Sequence, residues 1–138
     1  MLRGKTEMSV DDLVGSFEWP TPGSKVEERA GFAAIGSNVP RYLHEILSDE
    51  SPETGLSSEI RLNVLEWCTS LTALPCCGLR NTSPGKITLK FWQGDENELP
   101  YAHSCTREIH LPAYRDREQL REKLLRAVEH RRDGFHME

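Results

Sequence analysis

Lys86-Ile87-Thr88-Leu89-Lys90-Phe91-Trp92 is the stretch on which the fold turns. Its apolar Ile87, Leu89 and Phe91 alternate with polar Thr88 and Lys90, the period of a half-buried β-strand. Downstream, Gly94 to Pro100 reads as a polar surface loop, and Ile109 and Leu111 mark a second short strand that Pro112 ends. Asp116 is placed to cap a final helix, with Gln119 three residues on for a capping box. Leu120, Leu124, Leu125 and Val128 form the buried stripe of that helix, and Gly134 stops it.

Upstream of the strand, residues 72–85 hold Pro75, Gly78, Pro84 and Gly85 and read as irregular. Before them, Ser57 or Ser58 caps a helix whose Ile60, Val64, Leu65, Trp67, Cys68 and Leu71 recur at helical spacing. Pro40 suits the first turn of another helix, with Leu43, Ile46 and Leu47 on one face and Asp49 to Gly55 as the loop after it. Ser9 caps a short first helix, favoured by Asp11 and Asp12 in its first turn and expected to end near Trp19. Residues 20–38 contain Pro, Gly, Ser and charge without a period, which predicts a mobile linker. Helices, then strands, then a helix make an α+β domain.

The 138 residues suit one modest domain, with 37% hydrophobic and 28% charged residues and a formal net charge of −5. The acidic balance argues against a nucleic-acid binder. No apolar run is long enough to span a membrane, and Met1 to Val10 lacks an apolar signal core. The expected setting is therefore intracellular: cytoplasmic, with the nucleus also open to it. In that setting Cys68, Cys76, Cys77 and Cys105 are expected as free thiols. Neither they nor the five histidines show zinc-ligand spacing, so no metal or cofactor is expected. Cys68 falls on the apolar stripe of its helix and reads as core, whereas Cys76 and Cys77 lie in a loop.

Leu99-Pro100-Tyr101-Ala102-His103-Ser104-Cys105 resembles the LPxxHTC signature of HECT-type ubiquitin ligases, and Leu111-Pro112-Ala113-Tyr114 is similar to the LPxY that follows it at the same distance. The helix Arg117 to Val128 resembles the closing helix of the family's C-terminal lobe. Gly134-Phe135-His136-Met137-Glu138 resembles its tail, with the aromatic residue fourth from the end. Leu65-Glu66-Trp67-Cys68-Thr69 and Leu74-Pro75-Cys76-Cys77-Gly78-Leu79 are similar to the LxFxTG and PxGG regions of the lobe. Leu2-Arg3-Gly4, Ser9 to Leu13 and Glu18-Trp19 resemble the last helix of the preceding N-lobe. The resemblance divides the chain into 1–19 as the end of that helix, 20–38 as a hinge and 39–138 as the C-lobe. The sequence departs from the family at Thr106 and Arg107, where Phe-Asn is usual, and at Ser104 and Ser70, where Thr and Gly are usual.

The resemblance implies that Cys105 accepts ubiquitin as a thioester from a ubiquitin-conjugating enzyme, recruited by an N-lobe, and passes it to a lysine of a protein substrate. The attacking species is the thiolate, a minor form of a free cysteine with a pKa of about 8.5. His103, two residues before, would share a face with Cys105 in an extended segment, either to favour the thiolate or to hold the loop. Ser104 points the other way and is expected to bond the backbone. Phe135 would anchor the tail, and Glu138 with its terminal carboxylate would accept or orient the proton of the incoming lysine. Two other readings stand beside this one. The first is a ubiquitin-binding module of weak catalysis. The second is an unrelated thiol enzyme pairing Cys105 with His103 or His110, which would also need an orienting carboxylate or amide and an oxyanion hole.

Overall fold

In a computed structural model the described residues are 9–71, 79 and 85–134. They form an α+β fold in which helices cover one face of a four-stranded sheet and the other face carries half-exposed side chains. In chain order the elements are α1 (Val10–Val14), β1 (Phe17–Glu18), α2 (Lys25–Ala30), a 3-10 turn (Ala33–Ile35), α3 (Val39–Ser48), α4 (Ser58–Thr69), β2 (Ile87–Phe91), β3 (Tyr101–His103), β4 (Glu108–Leu111) and α5 (Arg117–Gly134).

The strand order is β1-β2-β4-β3. β1 runs parallel to β2, with Phe17 opposite Ile87, and β2 runs parallel to β4, with Leu89 opposite Ile109. β3 and β4 are an antiparallel hairpin closed by the pair His103 and Glu108. The alternation in β2 and β4 sends Ile87, Leu89, Ile109 and Leu111 into the core. There they meet Leu13 and Phe17 from the N-terminal elements, Leu43, Ile46 and Leu47 from α3, Val64, Leu65 and Cys68 from α4, and Leu120, Leu124 and Val128 from α5.

The helix ends follow local chemistry. Ser9, Ser24 and Ser57 each accept a hydrogen bond from a first-turn amide of α1, α2 and α4. At α5 the Asp116 carboxylate accepts from the Gln119 amide at 2.9 Å. The Gln119 side chain reaches back to the amide of Arg115 rather than that of Asp116. α4 ends on Ser70, whose φ of 67° is left-handed.

Two expectations need correction. The first helix does not reach Trp19: it ends at Val14, Gly15 caps it, and Phe17–Glu18 is a strand. Residues 20–38, read as a mobile linker without a period, contain a helix that Ser24 and Glu27 start. Ser24 Oγ accepts from the Glu27 amide at 3.0 Å and Glu27 accepts from the Gly23 amide at 2.8 Å, a capping box in all but one position. Ala30 and Phe32 are buried in the common core, with the Phe32 ring edge-on to Phe91 at 5.8 Å. The strand Tyr101–His103 was also not anticipated. Among the described residues no helix is long and apolar enough to cross a membrane.

Candidate active site

Cys105 stands in the four-residue turn Ser104-Cys105-Thr106-Arg107 that joins β3 to β4, and its side chain is exposed. The last residue of the turn, Arg107, is left-handed, with φ 55°, just before the chain re-enters the sheet. Such a conformation costs a non-glycine residue about 1–2 kcal/mol, less for Asn, whose short polar side chain tolerates it. Here the compensation is visible. The Arg107 side chain turns inward to 8% exposure, and its Nη1 donates to the Gly85 carbonyl at 2.9 Å. Its own carbonyl accepts from the Thr88 amide at 2.8 Å, which extends the β2–β4 ladder to the foot of the turn. Thr106 is exposed, so the absence of an aromatic side chain there leaves no void in the core.

His103 is the last residue of β3, and the turn begins directly after it. The strand alternation that would place His103 and Cys105 on one face therefore breaks between them. Among the described residues the Cys105 thiol makes no hydrogen bond, to His103 or otherwise. The His103 ring meets Tyr101 and His110 edge-on, each at 5.2 Å. Ser104 is half-buried, and among the described residues its hydroxyl makes no backbone bond. Phe135 and Glu138 lie outside the described residues, as do Cys76, Cys77 and Leu2 to Gly4.

The open face of the sheet beside the turn gathers Lys90, Trp92, Tyr101, His103, Glu108 and His110, a group that sequence reasoning did not assemble. Tyr101 stacks on its cross-strand neighbour His110 at 4.5 Å and takes the edge of Trp92 at 5.0 Å. Glu108 lies 3.1 Å from Nε2 of His110 and 3.9 Å from the Lys90 ammonium. Burial holds the His110 pKa below the ordinary imidazole value, while the Glu108 carboxylate pulls it the other way. The available signal was the spacing Tyr101-x-His103 and Glu108-x-His110, which puts all four on one face once both segments are strands.

Cys68 contrasts with Cys105. It is fully buried in α4, and desolvation pushes its thiol far above the usual range, so it is an inert core residue, as its place on the stripe predicts.

The profile of the HECT-domain (ubiquitin-transferase) family matches residues 4–138. The chain belongs to the HECT family. Along 98% of its length it is 25% identical to the E3 ubiquitin-protein ligase UPL2 of Arabidopsis thaliana, of which that stretch is 3%. It is 32% identical over 77 residues to the E3 ubiquitin-protein ligase Nedd-4 of Drosophila melanogaster, which is 53% of this chain and 8% of the fly protein. It is 36% identical over 76 residues to the E3 ubiquitin-protein ligase RSP5 of Chaetomium thermophilum, again 52% of this chain and 9% of the relative. This HECT chain thus spans a small fraction of the length of these relatives. Within the family pattern its Arg107 occupies the place of the usual Asn, and the φ of 55° gives that preference a cause: the position is left-handed. Ser70, in the place of the usual Gly, is left-handed for the same kind of reason.

Proposed function

We propose that this chain is a catalytic C-lobe that carries ubiquitin as a thioester on Cys105. In the first step the Cys105 thiolate attacks the thioester carbonyl of a ubiquitin-charged conjugating enzyme. A new carbon–sulfur bond forms, and the conjugating enzyme's cysteine leaves as its thiolate. In the second step a substrate lysine, having given up a proton, attacks the Cys105 thioester. An isopeptide bond forms and Cys105 departs as thiolate. Both are acyl transfers between ubiquitin's C-terminal carbonyl and successive nucleophiles.

The observation that carries the reading is the place of Cys105. It is an exposed thiol at the tip of a hairpin turn, within the LPxxHSC segment, on a chain of the HECT family. An exposed tip suits a nucleophile that must meet two large partners in turn. The thiol-hydrolase reading loses support from the same geometry. His110 has an orienting carboxylate in Glu108, but no imidazole among the described residues bonds the Cys105 thiol.

The conjugating enzyme, the protein substrate and an intracellular setting are parts of this proposal. So is a pivot between the two encounters. Of the stretch 20–38, residues 20–23 keep the composition of a hinge, and 24–35 contribute a helix and buried side chains to the core. Phe135 and Glu138 are proposed as the tail anchor and the group that receives the lysine's proton.

The test is a thioester assay with ubiquitin, activating enzyme and a panel of charged conjugating enzymes, in this chain and joined to a HECT N-lobe. A ubiquitin adduct that thiol reductant cleaves, and that Cys105→Ala abolishes, is expected. No adduct with the N-lobe attached would sink the transfer reading in favour of non-covalent ubiquitin binding.

A further inference from the structure

The turn that carries Cys105 is held by an arginine in a conformation that arginine does not favour. Arg107 is left-handed at φ 55°, its side chain is buried, and its guanidinium bonds the Gly85 carbonyl in the segment that leads into β2. Its carbonyl meanwhile accepts from Thr88 on the neighbouring strand. Side chain and backbone are thus both attached to the β2 side of the sheet, and Cys105 is two positions away. A buried guanidinium is costly to desolvate, and its planar fork bonds carbonyls in a fixed direction. A surface turn does not need such a group for solubility. The turn could have been made with Gly or Asn, which adopt the left-handed region readily. What the arginine adds is a rigid tether from the foot of the turn to a second segment of chain.

We infer that Arg107 is a positioning residue for Cys105: through its tether to Gly85 it fixes the direction in which the hairpin tip presents the thiol to an incoming acyl group. The inference rests on the thioester reading above. Acyl transfer to a thiolate needs approach along a narrow angle at the carbonyl, so a tip free to sway would lose encounters without losing nucleophile. Arg107 touches neither ubiquitin nor the reacting carbonyl in this account and acts through the backbone of the turn.

The experiment uses the full chain and, as donor, ubiquitin bearing a C-terminal thioester to a small thiol, which needs no recruiting lobe. Initial rates of adduct formation are measured against donor concentration for the unsubstituted chain, Arg107→Asn and Arg107→Lys. Cys105→Ala serves as the blank. Alkylation of Cys105 by iodoacetamide is followed by mass spectrometry in parallel, as a reaction with little directional demand. Arg107→Asn keeps the left-handed turn and loses the tether. It is expected to lower kcat for ubiquitin transfer about tenfold, to leave KM for the donor within about twofold, and to change alkylation by less than about twofold. Arg107→Lys keeps one donor of similar reach and is expected to recover part of the lost rate.

Transfer by Arg107→Asn within about twofold of the unsubstituted chain would overturn the inference. So would equal losses in transfer and alkylation, which would mean that the arginine only maintains the fold. If Arg107→Asn fails to fold, Arg107→Lys decides. A folded lysine variant with reduced kcat and unchanged alkylation supports positioning, and one with equal losses, or none, overturns it. Absence of any adduct on the unsubstituted chain would overturn the thioester reading itself, and this inference with it.

Discussion

Ser70 ends α4 in the left-handed region, its amide donating to Glu66 O at 2.7 Å and its side chain exposed. A β-carbon there is a strain with nothing to offset it. Gly removes that strain but gains freedom in the unfolded chain, so the two effects partly cancel. Ser70→Gly is expected to stabilise by about 0.5–1 kcal/mol, read as a rise in Tm of a few degrees. A fall in Tm would show that the hydroxyl, not the backbone, governs this cap. The same residue scale divides what the sequence discloses from what it hides. Cys105 is legible because its neighbours form a specific string, and Cys68 because its spacing places it on a buried stripe. The role of Arg107 is not legible. Its φ follows from a four-residue connection between two strands, and its partner Gly85 is 22 positions away. No local pattern records either fact.

Among the elements, the loop Asp49 to Gly55 and the start of α5 hold each other. Arg117 Nη2 bonds both the Asp49 carboxylate and the Thr54 carbonyl, and Arg121 bonds the carbonyls of Gly55 and Pro52. The Asp49 carboxylate also accepts from Thr54 Oγ1 at 2.7 Å and the Ser51 amide at 2.9 Å. Thr54 and Ser51, then Arg117, bring its pKa down to about 2 from 3.8. A lowered pKa means that folding favours the ionised form. The stabilisation is complete above the ordinary carboxylate value and disappears as pH falls through the folded one. Asp49→Asn is therefore expected to have a lower Tm than the unsubstituted chain at pH 6, with the gap closing towards pH 2. A gap of constant size across that range would count against a role for the charge. Among the elements themselves, α3, α4, β2, β4 and α5 are visible in the sequence because their apolar residues recur at the spacing of the element. α2 spans six residues, and β1 and β3 span two and three, too few for a period to declare itself. The readable trace of α2 was its cap, Ser24-x-x-Glu27.

For the whole molecule, the question is whether residues 24–35 belong to the domain or merely lead into it. Phe32 is 2% exposed and packs edge-on to Phe91 of the sheet. Phe32→Ala is expected to destabilise the entire domain by about 3 kcal/mol, with far-UV CD and tryptophan fluorescence reporting one shared transition. An unchanged Tm, or a separate early transition, would mean that the segment behaves as a linker after all. The α+β class follows from the order of the periodic segments, but the sheet order β1-β2-β4-β3 does not, because parallel neighbours are joined by long crossovers that leave no mark on local composition.

The pairing of Phe17 with Ile87 has a kinetic side. It joins residues about 70 positions apart, and the ladder beyond it waits for Leu111. On a ribosome, the first strand emerges and must remain without its neighbour until the second has been made, its aromatic side chain uncovered meanwhile. Closing so long a loop is slow compared with winding α3 or α4. Assembly is therefore expected to be limited by the search that brings Phe17 and Ile87 into register, and the nascent stretch before β2 is the stage at which a chaperone would find most to hold.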